Sequence, residues 1–439
     1  MKIAKNLFAL TPLCAGLCIG SAHATNGMYM EGYGPISAAM GGASQAINHG
    51  NAAMAQNPAT LGMVADGSSR FDLAIGFLGP DVKSKMMGMD APSGGTAYIM
   101  PAIGYTQRQG ALTYGIGVFA QGGMGTEYDA NTFLAMGSGG AARSELGIGN
   151  VIIPVAYQVN SALTVGATFK YMWSSLDMMM AASGAQLGGM VTGVSGNLGQ
   201  AMPQLGGAPW ARLHFSDDNK FTGSAKATGY GASVGAVLQL SPTVTMGASY
   251  QFKSALDDMK TDSNATTLSA TGGFADKGRM TIVDFQMPAV WAMGISWQAE
   301  PSLLLAADIK SIAWSSTMQN FKMRYDSAGM GGSVSFVLPQ NWKDQTVLNL
   351  GAAWQANAQW TLRAGLNLAD NPIPDAYVNP LFPATVRSHW TLGAGYRISP
   401  TDSINAAMTI TPNTTVTNVS GVEISHAQRN FQLLYTRQF

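Results

Sequence analysis

The 439-residue chain has only two cysteines, Cys14 and Cys18, and both fall in its first 24 residues. With that segment set aside, no disulfide, thiolate nucleophile or cysteine-ligated metal is available. Charge is scarce too. Charged residues are 11% of the chain while 46% is hydrophobic, against about 25% charged in ordinary soluble domains. A basic surplus is missing: without Lys2 and Lys5 the chain carries 22 Lys and Arg against 24 Asp and Glu, a net charge of 22 − 24 = −2. That balance argues against nucleic acid as a partner. Long apolar runs are missing as well. A helical membrane span needs roughly 20 apolar residues, and none follows the N-terminal segment. Leu7 to Gly20 is shorter, is preceded by Lys2 and Lys5, and is followed by Ala22-His23-Ala24. This is the pattern of a secretory signal peptide over residues 1–24, cleaved after Ala24. His49, His214, His389 and His426 are far apart and show no metal-ligand spacing. Asp257, Asp258 and Asp262 read as solvated loop acids. No catalytic residue, metal or cofactor is expected, and the chain does not read as an enzyme.

What is present is alternation. Leu163, Val165, Ala167, Phe169, Tyr171 and Trp173 share one face, opposite Thr164, Gly166, Thr168 and Lys170. Val244 to Lys253 and Trp360 to Leu368 repeat the pattern. A period of two puts one set on an apolar surface and the other in a polar interior. A soluble β-sandwich would also alternate, but low charge and many strands favour a transmembrane barrel. The alternation predicts fourteen strands over residues 67–439, near 68–79, 97–109, 111–121, 145–159, 162–179, 226–240, 243–256, 280–298, 302–323, 344–356, 359–369, 387–398, 402–412 and 424–439. Tight turns alternate with long connections, the longest about 180–225 and another about 257–279. Short turns on one rim and long loops on the other are the pattern of bacterial outer-membrane barrels, with both termini on the short-turn side. Such a barrel faces outer-membrane lipid and lipopolysaccharide, and it is expected as a monomer. Trp291, Trp297, Trp354, Trp360 and Trp390 suit interfacial girdles. The terminal Phe439, with Tyr435 four residues earlier, resembles the signal read by the barrel-assembly machinery.

Thr25 to Met63 breaks the alternation. It is rich in Gly, Ala, Asn and Met, has Glu31 as its only acid, and has no Lys or Arg. We expect residues 25–66 to sit inside the barrel as a plug, or hatch. Its methionines are adaptable, so Met28, Met30 and Met54 are candidates for an apolar ligand pocket.

Several segments together resemble the FadL/TodX family of outer-membrane transporters for long-chain fatty acids and aromatic hydrocarbons. They are Asn57-Pro58-Ala59, Gly123 with Thr126-Glu127-Tyr128, Pro288-Ala289-Val290-Trp291, Trp360 to Gly365 running on to Asn371-Pro372-Ile373-Pro374, and Pro383, Arg387 and Trp390. The resemblance implies an all-β, fourteen-stranded barrel with an N-terminal hatch, in which Asn57, Pro58 and Ala59 belong to the gate. It implies a third strand kinked inward to open the wall sideways; Gly122, Gly123 and Gly125 are the residues expected to permit this. It also implies a hydrophobic groove between loops 180–225 and 257–279. The function implied is passive transport of hydrophobic small molecules, either long-chain fatty acids or aromatic and aliphatic hydrocarbons; a general diffusion porin or a structural barrel is the alternative. Fatty-acid carriers of this family hold the head group with basic residues. Met180 and Leu338 fall near those positions here, so they join the candidate pocket and a free carboxylate is not expected to be required. Lys170, Lys322, Arg324 and Lys343 are the nearby cations that would reverse this expectation.

Overall fold

The computed structural model describes residues 26–219 and 221–439. The signal segment 1–24 and Thr25 lie outside the described residues. Alternating side chains produce one antiparallel sheet of 23 strands among the described residues. In chain order these are β1 Ser69–Met86, β2 Met89–Pro92, β3 Tyr98–Gln109, β4 Leu112–Tyr128, β5 Ala142–Gln158, β6 Leu163–Ala182, β7 Val191–Ser195, β8 Ala211–Phe215, β9 Ala225–Ser241, β10 Val244–Gln251, β11 Ala255–Leu256, β12 Met259–Lys260, β13 Thr266–Ala270, β14 Phe274–Val283, β15 Val290–Glu300, β16 Leu303–Ile312, β17 Asn320–Ser327, β18 Ser333–Pro339, β19 Gln345–Gln355, β20 Trp360–Ala369, β21 His389–Arg397, β22 Asp402–Thr417 and β23 Glu423–Gln438. Three short helices accompany them: α1 Gly34–Ala39, α2 Gly184–Met190 and α3 Gly196–Gly206.

The sheet closes on itself, because β1 pairs with β3 on one side and β23 on the other. Closure satisfies the backbone groups that hydrocarbon would leave unpaired. The Ser69 and Phe439 backbones bond to each other in both directions, at 3.1 and 2.9 Å. The two faces of β6 divide as its alternation dictates: Val165, Phe169, Tyr171 and Trp173 are exposed, while Thr164, Thr168 and Lys170 are buried. Trp297, Trp354, Trp360 and Tyr396 are exposed beside the short turns, with the Trp360 and Tyr396 ring centroids 4.8 Å apart and the rings tilted by 46°.

The fourteen-stranded barrel expected from the sequence is corrected by this sheet of 23 strands. Two causes are visible. Expected strands break: 280–298 becomes β14 and β15, and 302–323 becomes β16 and β17. Pro288 sits in the first break and cannot donate to a ladder, and Asp284 there has a φ of 54°. A 3-10 turn, Trp314–Ser316, makes the second. In addition, the long connections fold rather than loop. They hold β2, β7, β8, β12, β13 and β18, so that β6 pairs onward with β9, β10 with β15 and β16 with β19. The extra strands build a crown whose apolar core, continuous with Met28 and Tyr29 below it, fully buries Phe215, Tyr325, Phe336 and Trp342.

A candidate hydrophobic passage

Residues 26–62 lie within the closed sheet, and polar side chains of the wall hold them. The backbone amides of Ser44 and Gln45 donate to the Asp308 carboxylate at 2.7 and 3.1 Å. Asn51 donates from its backbone to Asp72 at 2.9 Å and from its side chain to the Gly104 carbonyl at 2.8 Å. Asn57 spans between segment and wall: its Nδ2 donates to the carbonyls of Gln45 at 2.8 Å and Ala236 at 3.2 Å. Its Oδ1 accepts the Ala59 amide at 3.1 Å, capping the 3-10 turn Pro58–Gly62. Asn57, Pro58 and Ala59 are all buried. Where the segment presses closest, the wall has no side chain: a Cβ on Gly247 would lie 1.7 Å from the Gln45 carbonyl oxygen.

The wall is interrupted at β4. Its pairing with β3 runs only from Gln109–Leu112 to Ala102–Phe119, whereas β3 continues along β1 to Tyr98. Beyond Phe119, β4 stays with β5 but slips register between Ala120 and Gly122. The residue left over is Gln121, buried, whose carbonyl accepts the Tyr33 hydroxyl at 2.7 Å and whose side chain accepts Asn150 Nδ2 at 2.7 Å. Gly122 instead pairs with Tyr29 of the N-terminal segment. Higher up, Glu127 is tied back by the Gly94 amide and the Ser93 hydroxyl, at 2.7 and 3.0 Å. A window without β3–β4 ladder bonds therefore lies between Phe119 and Glu127.

A cavity of about 390 Å³ occupies this window. Met28 and Met30 line its inner side, and Gly122, Gly123 and Gly125 its edge. Ile99, Val118 and Trp173 line its outer side and are themselves exposed on the apolar outer face. Of the other expected pocket residues, Met54 packs nearby against Phe119 and Ile152. Met180 and Leu338 do not reach the cavity; they are buried in the crown, paired with Leu213 and Phe321. The expected groove between the two long loops takes a mixed form. An open cleft of about 890 Å³ has Phe221, Thr222 and Lys226 on one side and Leu256, Asp257, Asp258 and Lys260 on the other. Leu187, Leu198 and Leu205 of the first loop are spent in the crown core.

Sequence reasoning did not single out Tyr29, Gln251, Asp308 or Asn51. Tyr29 donates to the Pro288 carbonyl at 3.1 Å and accepts Gln251 Nε2 at 2.6 Å, and Gln251 in turn accepts Lys170 Nζ at 2.6 Å. The available signal was glycine on the inner face of strands, at Gly166, Gly235, Gly247 and Gly365, each of which abuts the segment. Gly231 to Gly235 has the spacing of a nucleophile elbow, but Ser233 lies mid-strand in β9 and bonds Thr168, not on a strand-to-helix turn.

With this geometry in place, the chain can be set beside known proteins. Residues 15–436 match the family model described as outer membrane protein transport protein (OMPP1/FadL/TodX). The toluene transporter TodX of Pseudomonas putida is 30% identical, with a TM-score of 0.84 over 93% of this chain and 99% of that one. The toluene transporter TbuX of Ralstonia pickettii is 31% identical, with a TM-score of 0.78 over the same shares. The long-chain fatty acid transport protein of Escherichia coli K12 is 22% identical over 307 residues, which are 67% of this chain and 66% of that protein. The chain spans between 37% and 66% of the length of the curated relatives it matches.

Proposed function

As this chain belongs to the OMPP1/FadL/TodX family of outer membrane transport proteins, we propose that it carries hydrophobic small molecules passively across the bacterial outer membrane. The substrates are aromatic or aliphatic hydrocarbons or long-chain fatty acids; toluene is the cargo named for TodX and TbuX, and long-chain fatty acid that named for the Escherichia coli relative. Residues 26–66 act as the hatch, with Asn57, Pro58 and Ala59 at its anchor. The window at Gly122, Gly123 and Gly125 is the lateral exit. No chemical step is involved.

The observation that carries this reading is the cavity joining Met28 and Met30 to the lipid-facing Ile99, Val118 and Trp173. An apolar solute gains nothing in a polar lumen, because nothing there offsets its return to water at each step. A passage that leaves through the wall keeps it on apolar surface throughout. The pocket's volume of about 390 Å³ is that of a small-molecule site, and its methionines tolerate varied shapes.

The test is transport in proteoliposomes. Toluene should equilibrate faster than in protein-free vesicles, while sugars in a swelling assay should not. Rapid sugar passage through the intact protein would make it a diffusion porin instead.

A further inference from the structure

Resting on that reading, the geometry points to a charge filter: Glu31 and Glu145 make the passage select neutral apolar solutes and turn away carboxylate anions of the same shape. Both carboxylates line the 390 Å³ cavity, and no Lys or Arg is among its described lining residues. Glu31 is 4% exposed, and its Oε1 has no hydrogen-bond partner among the described residues. It therefore stands on the inner side of the passage as an acceptor facing an apolar space. Glu145 stands on the opposite side, in β5, held by Arg143 at 2.5 Å.

The cations nearest each carboxylate are already committed. Arg143 serves Glu145 and also lies 3.8 Å from Asp177. Lys310 shares its field between Asp308 and Glu31 and donates to the Gly42 carbonyl at 3.4 Å. Each side of the cavity thus carries more carboxylate than cation. The other basic groups that could receive a head group stand elsewhere. Lys170 is bound to Gln251. Lys322, Arg324 and Lys343 are exposed in the crown, the first two beside Asp284 and Asp326. An entering carboxylate would lose water and meet like charge, with no lysine or arginine and only neutral groups such as the Tyr98 and Thr222 hydroxyls to replace that water. A methyl group in its place loses nothing.

Toluene and benzoate differ by that exchange of methyl for carboxylate. Equilibrium dialysis of the purified full chain at neutral pH, with each probe, should give a benzoate Kd at least tenfold above that of toluene, or about 1.4 kcal/mol. Glu31→Gln should lower the benzoate-to-toluene Kd ratio at least threefold. Glu145→Gln, which also frees Arg143, should lower it further and supplies the test if the first variant does not fold. A wild-type ratio near one, or a ratio unchanged in both variants, overturns the filter while leaving the transport reading intact. Absence of toluene binding to the wild type overturns the transport reading itself.

Discussion

Gly122→Ala is the substitution that bears most directly on the hatch. A Cβ at this position would lie 1.9 Å from the Met28 carbonyl oxygen. Real Cβ atoms essentially never come closer than 3.0 Å to such an atom, so hatch and strand must separate by at least about 1.1 Å. The obstacle is backbone on both sides, so no rotamer change relieves it. That displacement breaks the Tyr29–Gly122 bridge and strains the Tyr29 contacts with Pro288, Gln251 and the Trp314 ring 5.6 Å away. Losing one or two hydrogen bonds of about 1 kcal/mol each raises the undocked population of the first hatch turn by roughly tenfold, at 1.4 kcal/mol per decade. The barrel itself keeps its ladders, because β4 at this point pairs only with β5 and the hatch. Planar-bilayer conductance should therefore show more frequent openings, with the heat-modifiable mobility of the barrel unchanged. Wild-type conductance in a folded Gly122→Ala protein would refute the claim that this bridge closes the hatch.

Other perturbations probe the remaining contacts. Deleting residues 26–60 should leave a heat-modifiable barrel that leaks small solutes in a swelling assay, since wall closure through β1 and β23 does not use them; a folded deletion as tight as the intact protein would remove the plug role. Asn57→Ala loses two donated bonds and one accepted bond, so protease accessibility of the hatch should rise, at a cost of about 1–3 kcal/mol of docking. Gly123→Val places a side chain against the Leu146 carbonyl at the window's edge, and toluene uptake should fall; unchanged uptake would count against a lateral exit there. Burial pushes the buried His49 imidazole down to about 4, with Arg70 and Lys310 adding to the effect and the Ile47 carbonyl and Gln56 opposing it. Its docked form binds fewer protons than the undocked form, whose value is near 6.5. Docking is therefore strongest above pH 6.5 and weakens as pH falls toward 4, by up to ~3 kcal/mol. Leak conductance should rise over that window, and His49→Asn should flatten the rise.

The parts of the architecture legible in the sequence were those that repeat. The period of two in β6 and β20 reports which side chain meets lipid, because a one-residue slip would expose the wrong face. The strand count was not legible, because apolar alternation continues above the membrane into the crown. Nothing in Met280 to Trp297 marks the break except Pro288. The long connection around Leu187, Leu198 and Leu205 read as apolar, but not that this surface would be consumed in the crown core. At the candidate site, the hatch methionines could be named from composition, and the window glycines from the resemblance to the family. Met180 and Leu338 could not be excluded from the pocket without the fold, since sequence spacing carries no information on which interior a buried residue joins. Nothing in the sequence around Asp308 points to its partners, since Ser44 and Gln45 are more than 260 positions away.

The division of chemistry between wall and hatch suggests how such a protein can move one part without unfolding the other. Wall strands are joined by continuous ladders, up to sixteen registered pairs between β1 and β23, and by an outward face that only a lipid environment satisfies. The hatch is joined instead by separate polar contacts: amides to Asp308, Asn51 to Asp72 and Gly104, Asn57 to Ala236, Tyr29 to Pro288. Each such bond nets only about 1–3 kcal/mol, the larger values for those to Asp308 and Asp72. A ladder in hydrocarbon has no water to replace its lost bonds. The hatch can therefore release contact by contact, and a solute filling the cavity beside Met28 and Met30 competes with the Tyr29 end first. Motion of the first hatch turn with the Asn57 anchor still docked is then the least costly opening. Cysteine substitution offers a direct check on it, since no native cysteine follows Cys18. A maleimide probe at Met30→Cys should react faster when toluene is present, while one at Ala59→Cys should not. Equal acceleration at both positions would mean that the hatch moves as a single body.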